Sequence, residues 1–231
     1  MRFNTTYTDL LRLIYEETGS RVGFFPGCFS PPHLGHYMTA KQMCVENDTC
    51  YIIASDSCRD PKITTDMMVQ IWEIYISAME MDNIKLKVVS GSPVAVTYQA
   101  VNLLNNDGEL VTSKPMNVSQ QAEDIYDGSR GSNIDVSLYA GDEDFKGRYS
   151  SFFSDGVIYK GNQVVNITGK PVKRFASGTD TRSTIHDIAI GLKDTDTLRG
   201  FLPGPGAGAN FTGRGFLTSE QEDQVINILL S

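Results

Sequence analysis

Apolar positions along this chain fall into short runs that alternate with helical stripes. From Thr8 to Glu17, Leu10, Leu11, Leu13 and Ile14 stand among polar residues at helical spacing, with Thr8 as a cap. Arg21-Val-Gly-Phe-Phe-Pro26 is short and apolar and reads as a buried strand. A Gly/Pro-rich turn leads to His33, and Leu34 to Val45 carries a helical pattern. The alternation then repeats. Cys50 to Ala54 reads as a strand, and Thr64 to Met81 as a helix with Met68, Ile71, Trp72, Tyr75, Ile76 and Met79 on its stripe. Ile84 to Val89 is a third strand, and Pro93 to Leu104 a helix with proline in its first turn.

Residues 105–133 break the pattern: Asn, Asp, Gly, Ser and Gln dominate, which predicts a polar insertion with one helical piece near Ser119–Tyr126. Ile134 to Ala140 resumes as a strand, followed by a short helix near Asp144–Phe153. Val157–Tyr159 and Val164–Ile167 are expected to pair as a small hairpin across Lys160-Gly161-Asn162. Ser177 to Leu192 reads as strand end, turn and helix, and Pro203 to Asn210 as a flexible connector. Thr218 to Leu230 is a last helix opened by a capping box, Thr218 and Gln221. The expected organisation is an N-terminal helix over 1–20, a core over 21–203, and a Gly-rich linker with a C-terminal helix over 204–231. Strand–helix alternation at this spacing predicts an α/β fold, a doubly wound parallel sheet of about five strands with flanking helices. In such sheets ligands sit beyond the carboxyl ends of the strands, where the chain order reverses. The segments with the most unusual chemistry follow the first and fifth strands.

A formal net charge of −8 argues against a broad grip on a nucleic-acid backbone. Small anions can still be held where a few cations and backbone amides converge. Cys28, Cys44, Cys50 and Cys58 lack the spacing of a zinc site and are expected as reduced thiols. No run approaches the ~20 apolar residues needed to cross a bilayer, and the opening segment is polar, so a cytoplasmic protein without membrane partner is expected.

The candidate chemistry is concentrated in Gly27-Cys28-Phe29-Ser30-Pro31-Pro32-His33-Leu34-Gly35-His36. Two of the three histidines stand three apart at the mouth of a helix, just after a buried strand. Unpaired amides and the positive dipole end at such a helix start suit phosphate. Imidazoles on the first turn add donors that can follow charge onto an α–β bridging oxygen. Gly35 lets a triphosphate approach the backbone, and Pro31 and Pro32 lower the entropy cost of ordering the loop.

This run, Gly-x-Phe-x-Pro-x-His-x-Gly-His, resembles the signature of the HxGH nucleotidyltransferase superfamily, which includes nicotinamide-mononucleotide, pantetheine-phosphate and FMN adenylyltransferases and the cytidylyltransferases of lipid and wall precursors. Downstream, Ala176-Ser177-Gly178-Thr179-Asp180-Thr181-Arg182 resembles the family's Ser-Ser/Gly-Thr-x-x-Arg motif. There the hydroxyls of Ser177 and Thr179, the helix amides and the forked Arg182 cation would meet the β and γ phosphates. The resemblance spans roughly residues 21–203 and implies a Rossmann-like core. It further implies His33, His36 and Arg182 as catalytic residues, and Gly27, Phe29, Ser30, Gly35, Ser177, Gly178 and Thr179 as nucleotide-binding residues. Weaker matches add Lys62, from Arg59-Asp60-Pro61-Lys62, and the carboxylates Asp142 and Asp144 after the fourth strand. Ser90-Gly91-Ser92-Pro93 resembles a family turn near the acceptor site, and Phe201-Leu-Pro203 the endings of phage-type members. Two departures stand out. Ser30 replaces the Asp, Asn or Gln that adenylyltransferases often carry, and the helix from Thr64 lacks an arginine near its start. Trp72 reads as a core residue, and His186 as a surface or core residue.

The implied reaction transfers AMP or CMP from ATP or CTP to a small phosphate-bearing acceptor, releases pyrophosphate, and uses Mg²⁺ with no protein metal cage. The proline-flanked histidines look more like those of nicotinamide-mononucleotide adenylyltransferases than of cytidylyltransferases. A cytidylyltransferase of a lipid or sugar precursor and a non-catalytic nucleotide-binding regulator remain as alternatives. A class I aminoacyl-tRNA synthetase fragment would want a lysine-rich second motif and a basic face, and neither is present. A homo-oligomer is a family expectation.

Overall fold

The computed structural model describes residues 20–57, 60–105, 119–127, 134–141, 147, 166–171 and 177–231. Five strands form one parallel sheet: β1 (Ser20–Gly27), β2 (Thr49–Ser55), β3 (Ile84–Val89), β4 (Ile134–Ala140) and β5 (Asn166–Pro171). Their spatial order is β3-β2-β1-β4-β5. The described helices are α1 (Leu34–Glu46), α2 (Thr65–Met79), α3 (Pro93–Asn105), α4 (Gln120–Asp127), α5 (Gly178–Ala189) and α6 (Ser219–Leu230). The chain steps outward from β1 to β3 and returns to the far side of β1 for β4. The order therefore reverses at β1 and β4, and their carboxyl ends flank the crevice where such folds bind ligands.

The period of two along β1 builds both cores. Val22 and Phe24 join Tyr51, Ile53, Val136 and Leu138 in a core closed by α3 and α4 through Val96, Ala100, Leu104, Ala122 and Ile125. Phe25 faces the other way, with Ile52, Ala54 and Tyr139, against Tyr37, Met43, Met68, Trp72, Ile185, Val225 and Leu229 of α1, α2, α5 and α6. Burial on both faces explains why β1 and β2 read as continuous apolar runs. The protein is an α/β, Rossmann-like, doubly wound sheet. At Gly23 an added Cβ would lie 2.5 Å from Met43 Cγ and 2.9 Å from Asn47 Nδ2, so glycine lets α1 lie close against β1.

Local chemistry sets the helix ends. The Thr64 hydroxyl accepts from the Met67 amide at 3.2 Å, and α2 stops at Glu80 in a left-handed conformation, φ 54°. Thr218 and Gln221 close the expected capping box on α6, at 2.9 and 3.2 Å. The helical piece expected in the polar insertion is α4.

Val164–Ile167 is expected in a hairpin; of that segment the described Asn166 and Ile167 open β5, and Asn166–Pro171 pairs parallel with β4, from Asp135 opposite Asn166 to Ala140 opposite Pro171. Gly169, Lys170 and Pro171 give this edge strand a polar, interrupted pattern that conceals it, and such residues suit an edge. Residues 203–210, expected as a flexible connector, are wound into two 3₁₀ turns, Pro205–Ala207 and Ala209–Phe211. Their glycines serve packing: a Cβ at Gly204 would lie 2.4 Å from Glu222 Oε1, and one at Gly206 2.2 Å from Arg199 Cβ. Arg199 in turn pairs with the buried Glu222 at 3.0 Å. The N-terminal helix, the helix at 144–153 and the hairpin arm at 157–159 lie outside the described residues. Among the described residues, no helix is long and apolar enough to cross a membrane.

Candidate active site

The loop from β1 to α1 turns at Phe29, whose φ of 45° is left-handed. That conformation costs on the order of 1–3 kcal/mol for a bulky residue. Three edge-on aromatic contacts offset it: centroids lie 4.9 Å from Phe25, 5.2 Å from Trp72 and 5.0 Å from His36. Such pairs contribute about 0.5–1.5 kcal/mol each beyond burial. A Cβ on Gly27 would lie 2.8 Å from the Phe29 ring, so Gly27 admits it. Phe29 is buried, and its ring shapes the loop instead of facing solvent.

His33 caps α1. Its Nδ1 accepts from the Gly35 amide at 3.1 Å, which places the proton of the neutral ring on Nε2 and makes that atom a donor. The His36 ring stacks on it with centroids 3.7 Å apart and planes 26° apart. The first turn of α1 carries no acidic residue, which leaves its dipole end open to an anion. From α2, the Tyr75 hydroxyl donates to the Pro32 carbonyl at 3.5 Å, and burial pushes its pKa up, so it stays protonated.

The second motif opens α5. Ser177 is its N-cap, accepting from the Asp180 amide at 3.5 Å, and its carbonyl takes the Thr181 hydroxyl at 2.9 Å. Arg182 forks across the two motifs: Nη1 donates to the Ser30 carbonyl at 2.7 Å and Nη2 to the Thr179 hydroxyl at 3.2 Å. A Cβ on Gly178 would lie 3.4 Å from Arg182 Nη1 and 3.6 Å from His33 Nε2, an ordinary contact distance. The amino ends of α1 and α5 therefore meet, although 144 positions of sequence separate His33 from Ser177.

Ser30, His33, His36, Gly35, Ser177, Gly178, Thr179 and Arg182 are thus brought into one neighbourhood. The Ser30 hydroxyl is buried with no hydrogen-bond partner among the described residues. Lys62 is exposed in the turn after β2, where its amide donates to Asp60 Oδ1 at 2.9 Å, and no described contact joins its side chain to the motifs. Asp142 and Asp144 lie outside the described residues. Trp72 is fully buried in the core and His186 is exposed near the end of α5. Among the described residues, no three His, Cys, Asp or Glu side chains gather in a way that could hold a metal ion.

Ser55 and Asp56 stand at the carboxyl end of β2, outside the motifs marked in the sequence. The Ser55 hydroxyl donates to the Gly91 carbonyl at 2.9 Å, and the Asp56 amide donates to the Val89 carbonyl at 3.0 Å. They tie the Ser90–Ser92 turn beside β2, with Gly91 at φ 85°. A serine closing an apolar strand gives no signal of such a role.

No protein-family model and no curated protein matches the chain. Among solved structures, it is similar to a bifunctional NMN adenylyltransferase/ADP ribose pyrophosphatase from Francisella tularensis, at 12% identity and a TM-score of 0.47, over 74% of this chain and 43% of that one. The form of that protein complexed with AMP and Mn ion matches at 12% identity and a TM-score of 0.47, over 92% of this chain and 52% of that one. Plasmodium falciparum nicotinic acid mononucleotide adenylyltransferase complexed with APC matches at 11% identity and a TM-score of 0.44, over 79% of this chain and 90% of that one. The chain thus spans about half the length of the bifunctional protein. At this level of likeness the functional reading rests on the residues themselves.

Proposed function

We propose that this protein is a nucleotidyltransferase that transfers AMP, or CMP, from a nucleoside triphosphate to a small phosphate-bearing acceptor and releases pyrophosphate. The observation that carries this reading is the meeting of two helix amino ends, with the His33–His36 stack on one and Gly178, Thr179 and Arg182 on the other. Two amide-rich termini, imidazole donors and one guanidinium form a donor set for a polyphosphate, not for a carboxylate metal cage.

In the reaction, an acceptor phosphate oxygen attacks the α-phosphorus in line, and the bond to the α–β bridging oxygen breaks. The electron pair leaves with pyrophosphate, and no protein nucleophile is needed. His33 Nε2–H and His36 face the charge that grows on the α-phosphate and bridging oxygen. The α5 amides, Ser177, Thr179 and Arg182 receive the β and γ phosphates. Catalysis is then positioning and stabilisation of charge. The donors gathered here are N–H groups and a guanidinium, which do not ligate Mg²⁺; the ion would come with the triphosphate and would supply charge neutralisation. Lys62 is a candidate mobile cation, and Asp142 and Asp144 are candidates for framing the nucleotide. The acceptor proposed first is nicotinamide mononucleotide, since the Pro-Pro-His-x-Gly-His run looks slightly more like that subgroup than like cytidylyltransferases.

The test uses α-labelled ATP and CTP with Mg²⁺ against nicotinamide mononucleotide, phosphopantetheine, FMN, glycerol 3-phosphate and phosphocholine. Label entering one acceptor, with an equal yield of pyrophosphate, is the expected result. Label appearing only in a nucleoside diphosphate would mean hydrolysis and would reject the proposal.

A further inference from the structure

The segment that leads into α6 is fastened to α1 at a single carbonyl. Gly215 O accepts from the Tyr37 hydroxyl at 2.6 Å and from Lys41 Nζ at 2.7 Å. Tyr37 and Lys41 stand one turn apart, on one face of α1. The Lys41 ammonium also lies 3.8 Å from the centroid of the Phe216 ring, and Tyr37 packs edge-on against Tyr75 at 5.4 Å. Gly215 has φ 75°, and a Cβ there would lie 2.8 Å from Lys41 Nζ, so the residue suits this close approach. Around this point the segment is held further: the Leu217 amide donates to the Pro203 carbonyl at 2.9 Å, and Arg214 pairs with Glu80 at the end of α2. Tyr37 follows His36 directly, and its amide donates to the His33 carbonyl at 3.0 Å. Burial raises the Tyr37 pKa and lowers that of Lys41.

We propose that the Gly215 carbonyl, through Tyr37 and Lys41, is a strap that fixes the first turn of α1 and so places the His33–His36 pair for catalysis. Tyr37 and Lys41 are then positioning residues, and the segment before α6 is part of the active-site framework. This inference rests on the transferase reading for its effect on turnover. Its effect on the imidazoles can be read without any reaction.

The test is Tyr37→Phe, which removes one hydroxyl and keeps the packed ring, with Lys41→Met as a second variant that keeps the stem. The chain has three histidines, so carbon-resolved imidazole spectra give three assignable signals, and exposed His186 serves as the internal control. The His33 and His36 signals should move or broaden while that of His186 stays. In the transfer assay kcat should fall about tenfold or more, with KM for the nucleotide changed by no more than about twofold. Unmoved histidine signals in folded variants would overturn the strap, as would unchanged kcat in an active enzyme. An inert wild type whose His33 and His36 signals shift on substitution would keep the strap and count against the transferase reading.

Discussion

At His33 one hydrogen bond sets the tautomer, because the Gly35 amide occupies Nδ1 and places the proton of the neutral ring on Nε2. Arg182 works by the same logic of committed donors, with one Nη on the Ser30 carbonyl and the other on Thr179. Lysine offers its donors from a single nitrogen and does not reproduce this planar fork. Arg182→Lys should therefore lose one charge-assisted bond, about 1.5–3 kcal/mol, and kcat/KM should fall about ten- to a hundredfold. Steady-state kinetics check this, and an unchanged kcat/KM would mean that the fork does not act on the triphosphate. That His33, His36 and Arg182 belong to two marked motifs was legible in the sequence, because scarce residue types cluster around glycines at fixed spacing; that the motifs meet is shown only by the structure. Tyr37 was not legible, since an aromatic on a helical stripe looks the same whether it fills a core or holds a strap. Phe29 was legible as a marked position but not as a buried one, because motif matching does not say which way a ring turns.

Among the elements, α5 depends on its cap. Ser177→Ala should destabilise the fold by about 1 kcal/mol, lowering Tm by about 2–4 °C for a chain of this size, and calorimetry can read it. A drop in phosphate affinity with no change in Tm would show that the hydroxyl serves only the ligand. The far end of α1 gives a pH dependence. Tyr139 donates to Glu46 at 2.7 Å, with Gln42 and Lys170 also on that carboxylate, and together they hold its pKa below the ordinary value. Arg21 does the same for Asp48. A depressed folded-state pKa contributes stability that is present above the unfolded value and lost as pH falls through the folded one. Stability should therefore decline below the ordinary carboxylate range of about 4. Glu46→Gln should flatten that decline in denaturant titrations across pH 3–5, roughly the range in question, and an unaltered slope would exclude the Tyr139–Glu46 contact. Strands β3 and β4 were legible to the residue as apolar runs between turn signals. Strand β5 was not, because an edge strand ending in Gly-Lys-Pro follows neither period.

For the molecule as a whole, the sheet and its parallel sense followed from strand–helix alternation alone. The place of the C-terminal segment did not follow, because glycines that pack tightly look like glycines that flex. Leu217, Val225, Ile226 and Leu229 belong to the core cluster that holds α1 and α2. At about 1.5–3 kcal/mol for each buried side chain, they carry about 6–12 kcal/mol, comparable to the whole stability of a domain. Truncation after Pro203 should therefore unfold the protein, visible by circular dichroism, and a folded, active truncation would contradict this packing. The central claim is that the joined helix ends carry out nucleotidyl transfer, and the most direct measurement is pyrophosphate release by His36→Ala beside the wild type, at matched Tm. Loss of a transition-state donor should lower turnover on the order of 10²–10³-fold. A folded His36→Ala protein that releases pyrophosphate at the wild-type rate would contradict the claim.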